Sequence, residues 1–303
     1  KRSAFGRGGR GSLAATRMDT LSATVLKEFL AEFPSLSLSD IGEVGLGQVL
    51  HADELLNMGS AQICHLSGLP YEIAKFECNR QWGASMEGVH RLTHAMMLGL
   101  YDVGLAMGVE RMNRHLSLQS SNPNRLTSIN PDYLRYQSDA QRTVSPYYKN
   151  HLSHAIPESV LRSPPLCMMP QTAQNIADMY RLSREQCDEF ALTSHQKYQQ
   201  ALDDGYYEHE IVPITIEAPV FDADTQLDLS QHGPQTSFKQ DDCFRKGLSL
   251  DQLASLPPLK GVKSYDNAAV IISPGNSCPT NDGFATTLLL SESKADKLSI
   301  TPM

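Results

Sequence analysis

Apolar residues recur at three- and four-residue spacing at Met18, Leu21, Val25, Leu26, Phe29, Leu30 and Phe33. That period predicts an amphipathic helix, and Pro34 ends it. An apolar run over 41–50 and a weakly periodic stretch over 60–69 follow. The pattern over 73–78 predicts a strand, Gly83 opens a helix that runs to about Leu98, and glycines punctuate a further strand over 103–109. Strand and helix alternate, which predicts an α/β fold with a sheet covered by helices.

From 113 to 166 the periodicity dissolves, and Pro123, Pro131, Pro146, Pro157, Pro164 and Pro165 punctuate a polar stretch that reads as a loop-rich insertion. Helical spacing returns over 172–180. Ser183 and Gln186 then form a capping box that opens a helix reaching about Asp203, with Gly205 as its stop. Residues 211–216 read as a strand, 222–246 as polar chain, and 250–259 as a short helix closed by Pro257 and Pro258. Two last apolar runs, 268–272 and 284–290, read as strands around the turn residues Pro274-Gly275-Asn276 and Asn281-Asp282-Gly283.

Composition narrows the class. In 303 residues, 26 Lys and Arg stand against 34 Asp and Glu, a formal charge of −8, and no basic face marks a nucleic-acid partner. The longest apolar stretch, 95–109, is broken by Tyr101 and Asp102 and falls short of the roughly 18–20 residues of a membrane span. Six cysteines (Cys64, Cys78, Cys167, Cys187, Cys243, Cys278) are scattered without a C-x-x-C pair, which suits reduced thiols in the cytoplasm and no metal site. The chain opens on Lys1-Arg2 with no readable targeting signal.

Gly6-Arg7-Gly8-Gly9-Arg10-Gly11 satisfies G-x-G-x-x-G, yet no strand precedes it and no helix follows at once, so a basic surface loop is the better reading than a phosphate cradle. His90 and His94 share a helix face at metal-ligand spacing but lack a third ligand. Met96, Met97, Met107 and Met112 read as core filler. Most informative is Cys78-Asn79-Arg80-Gln81-Trp82-Gly83-Ala84-Ser85-Met86, where a strand ends and a helix begins. The amino end of such a helix would stabilise a thiolate placed there and make it a nucleophile.

That segment resembles the active-site stretch of the thiolase family, acyltransferases that cleave or condense 3-ketoacyl-CoA. Further motifs are similar in the same order: Arg2-Ser3-Ala4-Phe5-Gly6-Arg7, Gly47-Gln48-Val49, Gly108-Val109-Glu110-Arg111-Met112, Met169-Pro170-Gln171-Thr172-Ala173-Gln174-Asn175, Ser183-Arg184-Glu185-Gln186-Cys187-Asp188 with Ser194-His195, and Gly275-Asn276-Ser277 with Asn281-Asp282-Gly283. The version N-R-Q-x-G-x-S-M is closest to the fatty-acid-oxidation branch. The resemblance implies a layered α/β fold: a five-stranded mixed sheet with helices on both faces, in 1–113 and 247–303, interrupted by an inserted loop domain over 114–246. It also implies a homodimer or homotetramer paired edge to edge, for which 103–109 is the apolar edge expected to be unpaired.

Where the family carries its nucleophilic cysteine this chain has Trp82, and an indole forms no thioester. Cys78 lies four residues upstream and is expected to face the strand instead. The family's second-half motifs, N-E-A-F, G-H-P and a second cysteine, do not occur in the 303 residues. For CoA, a substrate and not a resident cofactor, the resemblance implies contacts from Met168, Met169, Arg245, Pro274 and Cys278, of which Cys278 stands where the family often has serine and Pro274 where it often has alanine. Arg245 suits the adenine and phosphate end; a solvated surface arginine is the alternative. The expectation is a thiolase-like acyltransferase with impaired catalysis, or else a non-catalytic CoA-binding or assembly subunit.

Overall fold

A computed structural model describes residues 1–51, 53–112, 169–223, 227–264 and 269–302. The described residues of 1–120, 204–243 and 280–303 form one compact unit, and those of 121–203 and 244–279 form a second.

The first unit is built on strands β1 (Gly6–Arg7), β2 (Glu43–Gly47), β3 (Ala74–Cys78), β4 (Val103–Glu110) and β7 (Asn281–Leu290). Their order is β1-β7-β4-β2-β3. β2 runs parallel to β3 and to β4, whereas β7 is antiparallel to β4 and β1 antiparallel to β7, so the sheet is mixed as expected. β5 (Ile214–Glu217) and β6 (Gln235–Phe238) make a separate antiparallel pair.

β4 reads as an almost unbroken apolar run because it lies inside the sheet, covered on both faces. This corrects the expectation that 103–109 is a free edge: β2 and β7 flank it, and the open edges are β1 and β3. Apolarity along a strand reports burial of its faces and carries no information about its lateral neighbours.

Helix α1 (Met18–Ala31) buries Met18, Leu21, Val25, Leu26, Phe29 and Leu30. With Ile63 and Cys64 of α2 (Gly59–Leu66), these join Val44, Leu46, Val103, Leu105, Met107 and Val109 in the main core. The opposite sheet face holds a smaller cluster of Phe76, Ala106 and Leu92, the last from α3 (Ala84–Met97). Met97, expected in the core, is 79% exposed.

The second unit contains α4 (Met169–Tyr180), α5 (Arg184–Asp203) and α6 (Leu250–Ala254). The capping box is present: Ser183 N–H donates to Gln186 Oε1 at 2.9 Å and Gln186 N–H to Ser183 Oγ at 3.1 Å. Gly205 ends the run with φ of 73°. The expected strand over 268–272 is irregular chain at 269–272. Its backbone is satisfied differently: Gln174 Oε1 accepts from Ile271 N–H, and Leu259 N–H donates to the Ile272 carbonyl. The closing helix α7 (Glu292–Leu298) belongs to the first unit, with Ser291 as its N-cap. Among the described residues no helix is long and apolar enough to cross a membrane.

Candidate active site

The chain from β3 into α3 carries the candidate site. α3 begins directly against the ends of β2 and β4, because a Cβ at Gly47 would lie 2.3 Å from the Ser85 nitrogen and one at Gly108 would lie 2.1 Å from Ser85 Oγ. These glycines let the helix end seat on the sheet. The intervening turn is held by Asn79, whose amide donates to the Val49 carbonyl at 2.9 Å and whose Oδ1 accepts from Gln81 N–H at 3.0 Å. Gln81 sits in the left-handed region with φ of 52°, a position an Asx turn supports. Gly83 and Ala84 N–H groups close the turn on the carbonyls of Arg80 and Gln81, and Arg80 pairs with Glu87 one turn into α3.

Trp82 stands at the tip of this turn, at the positive end of α3, and is 76% exposed. Its ring therefore fills no core within the described residues. Cys78 is poorly placed to stand in for a nucleophile. Its Sγ donates to the Ala84 carbonyl at 3.2 Å beneath the helix start, and burial, with Glu87 adding to it, pushes the thiol up from its ordinary value, which disfavours the thiolate that attack requires.

The other motifs turn out to be architectural. Gln48 and Glu110 organise the end of β2: Glu110 accepts from the N–H groups of Val49 and Leu50, each at 3.0 Å. Arg111, wholly buried, donates to the carbonyls of Leu13, Ala14 and Thr16 and faces Glu54 at 3.8 Å and Asp282 at 4.0 Å. The glycine-rich segment 6–11 is tied down, since Asp242 accepts from Arg7 N–H, Ser12 N–H and Ser12 Oγ, and a Cβ at Gly8 would meet Thr280 Oγ1 at 2.2 Å. In the second unit Asp188 accepts from Arg184 Nε at 2.7 Å and from Asn276 Nδ2 at 2.8 Å, which binds α5 to the Gly275-Asn276-Ser277 loop.

Of the expected CoA contacts, Met169 at the start of α4 is 53% exposed, and Arg245, Pro274 and Cys278 are exposed, all in the second unit. Trp82 belongs to the first unit, and Met168 lies outside the described residues. Arg245 lines a cavity of roughly 280 Å³ with Leu192, His195, Gln199, Asp203 and Phe244. His195 Nδ1 accepts from Arg245 N–H at 3.4 Å; burial, helped by the Arg245 charge, lowers the imidazole below its usual value, which disfavours its charged form. Phe244 packs near both His195 and Tyr198. Sequence reading found Ser194-His195 only as a motif and missed this cavity, because Phe244 and Arg245 are some fifty positions away.

His90 and His94 are exposed, and among the described residues no group of three His, Cys, Asp or Glu is placed to hold a metal. Cys64, Cys78, Cys187, Cys243 and Cys278 are free thiols.

With this geometry in view, the sequence profile described as "Thiolase, N-terminal domain" matches residues 1–293. The chain belongs to the thiolase family. It is 31% identical to the β-ketoadipyl-CoA thiolase of Pseudomonas aeruginosa over 301 residues, covering 99% of this chain and 67% of that protein, and 28% identical to the peroxisomal 3-ketoacyl-CoA thiolase of Saccharomyces cerevisiae, covering 99% and 61%. Among solved structures it superposes on the dimeric peroxisomal thiolase of S. cerevisiae with a TM-score of 0.68 at 26% identity, covering 99% of this chain and 65% of that one. The Bacillus anthracis acetyl-CoA acetyltransferase gives 0.69 at 24% identity, with coverage of 100% and 66%, a likeness of fold. The chain thus spans about two thirds of the length of the relatives it matches.

Proposed function

We propose that this chain is a CoA-binding thiolase of the fatty-acid-oxidation type, related to enzymes that convert 3-ketoacyl-CoA and CoA to acyl-CoA and acetyl-CoA, and that it cannot carry the acyl group itself. One observation carries the reading: the turn that presents the family nucleophile is intact in its glycine seats and Asn79 clasp, while the residue it presents is Trp82. An indole has no lone pair available for attack on the 3-keto carbon. Thioester chemistry at this position is therefore lost.

The cavity beside Arg245 supports CoA binding, because an aromatic ring, an imidazole and a guanidinium suit an adenine ring with its phosphates. Met168 and Met169 would flank the pantetheine arm, with Pro274 and Cys278 beside it. The domain boundaries at 113/114 and 246/247 and a cytoplasmic setting belong to the same reading, although relatives from S. cerevisiae and Rattus norvegicus are peroxisomal by name. A homodimer or tetramer is expected as well, with β3 now the edge strand available for pairing.

The alternative, a non-catalytic assembly subunit, is favoured by the exposure of Trp82, Met86, Met97, Leu98 and Leu100 along and after α3. Calorimetry with CoA and thiolysis of acetoacetyl-CoA, on the natural chain and on Trp82→Cys, separate the two. Saturable CoA binding without turnover supports the first reading; absence of binding by both forms supports the subunit. Robust thiolysis with Trp82 in place overturns both.

A further inference from the structure

We propose that Asp203 sets the base specificity of the cavity beside Arg245, its carboxylate taking a hydrogen bond from the exocyclic amine of an adenine ring; the inference rests on the reading of this chain as a CoA binder. One wall of the cavity is α5, whose Leu192, His195, Gln199 and Asp203 line it at three- and four-residue spacing along one face. Asp203 is the last residue of that helix and is exposed. Phe244 and Arg245 line the same space, and Arg245 N–H donates to His195 Nδ1, about two helical turns before Asp203.

Side chains of a helix tilt toward its amino end, so Asp203 leans back over Gln199. The hydrogen bond found there agrees, because Gln199 Nε2 donates to Asp203 Oδ1 at 2.7 Å. That bond holds the carboxylate by one oxygen. Among the described residues Asp203 Oδ2 takes no hydrogen bond, and an ionised carboxylate only accepts, so a ligand group that bonds to it must carry N–H or O–H. Helix energetics do not account for the residue, since an anion at the carboxyl end opposes the macrodipole.

Charge sets the direction in which CoA lies. Its phosphates are repelled by Asp203 and suit the Arg245 guanidinium. Along the axis of α5, about 12 Å separates His195, beside Arg245, from Asp203, and Phe244 packs at the level of His195 and Tyr198. A purine laid on that aromatic surface with its phosphates toward Arg245 turns its six-membered ring, and the amine on it, toward Asp203. The ribose hydroxyls and the pantetheine amides, the other donors of CoA, lie on the phosphate side of the base.

Calorimetry on the full chain with CoA and with etheno-CoA tests this. In etheno-CoA a carbon bridge removes both N–H bonds of the amine and leaves the ribose, phosphates and pantetheine unchanged. The natural chain is expected to bind CoA at least about tenfold tighter than etheno-CoA, as for a hydrogen bond to a charged acceptor. Asp203→Ala, a change at an exposed helix end to the best helix former, is expected to bind both alike. CoA binding with the two affinities within about twofold in the natural chain overturns the inference and leaves the CoA binder standing. A preference that persists undiminished in Asp203→Ala reports only the bulk of the bridge and overturns it too. Absence of CoA binding by the natural chain removes the reading underneath, and this inference with it.

Discussion

Arg111→Met removes the cation at the centre of the first unit while keeping an unbranched apolar stem. The guanidinium is wholly buried, donates to three backbone carbonyls in 13–16, and faces two carboxylates at 3.8 and 4.0 Å. Its loss strands those carbonyls, each at about 1–3 kcal/mol if left unsatisfied, and leaves Glu54 and Asp282 without their shared counter-charge. Breaking a buried pair from one side costs about 3–5 kcal/mol. Relaxation of the 13–16 loop toward water recovers part of the carbonyl cost, so the expected loss is about 4 kcal/mol, a large share of an ordinary domain's stability. Urea unfolding followed by circular dichroism measures it. A midpoint unchanged from the natural chain, with the same slope, would show that Arg111 is not the hub described here.

Gly47→Ala drives a Cβ into the Ser85 backbone at 2.3 Å, and a displaced α3 should cost at least about 1–3 kcal/mol; an unaltered melting temperature contradicts the seating of the helix. Burial works against ionisation of Asp19, but the Arg17 guanidinium and the Thr20 N–H outweigh it and hold the carboxyl below its usual value. A depressed group contributes stability above its unfolded pKa and loses it as pH falls through the folded one, so Asp19→Asn should destabilise at pH 7 and become nearly neutral at pH 2; equal effects at both would refute the ion pair's role. Under a thiol reagent at pH 8, exposed Cys278 should react at once, whereas Cys64, buried and pushed up to about 11, should react only on unfolding. Fast labelling of Cys64 in the folded chain would contradict its place in the core.

Periodicity revealed α1, β4, α3 and the capped start of α5, since each has a face whose burial writes itself into the sequence. Lateral order left no such trace, which is why β4 reads as an edge and lies in the middle. β1 has two residues and β6 is the polar Gln-Thr-Ser-Phe, too short or too exposed to alternate. At 269–272 an apolar run resembles a strand, yet its backbone partners are the Gln174 and Asn276 side chains and the Leu259 N–H. The turn at 78–86 was legible because a strand pattern ends at Cys78 and the small residues Gly83 and Ala84 open a helical one. The buried Arg111 hub and the His195–Phe244–Arg245 cavity join residues far apart in the chain, and no spacing rule brings them together.

Intact-protein mass spectrometry after incubation with acetoacetyl-CoA tests the central claim most directly. The natural chain, with Trp82 at the nucleophile position and the Cys78 thiol bonded to the Ala84 carbonyl beneath α3, is predicted to show no added acetyl mass. An acetyl adduct that maps by peptide sequencing to residues 78–86 of the natural chain would contradict it.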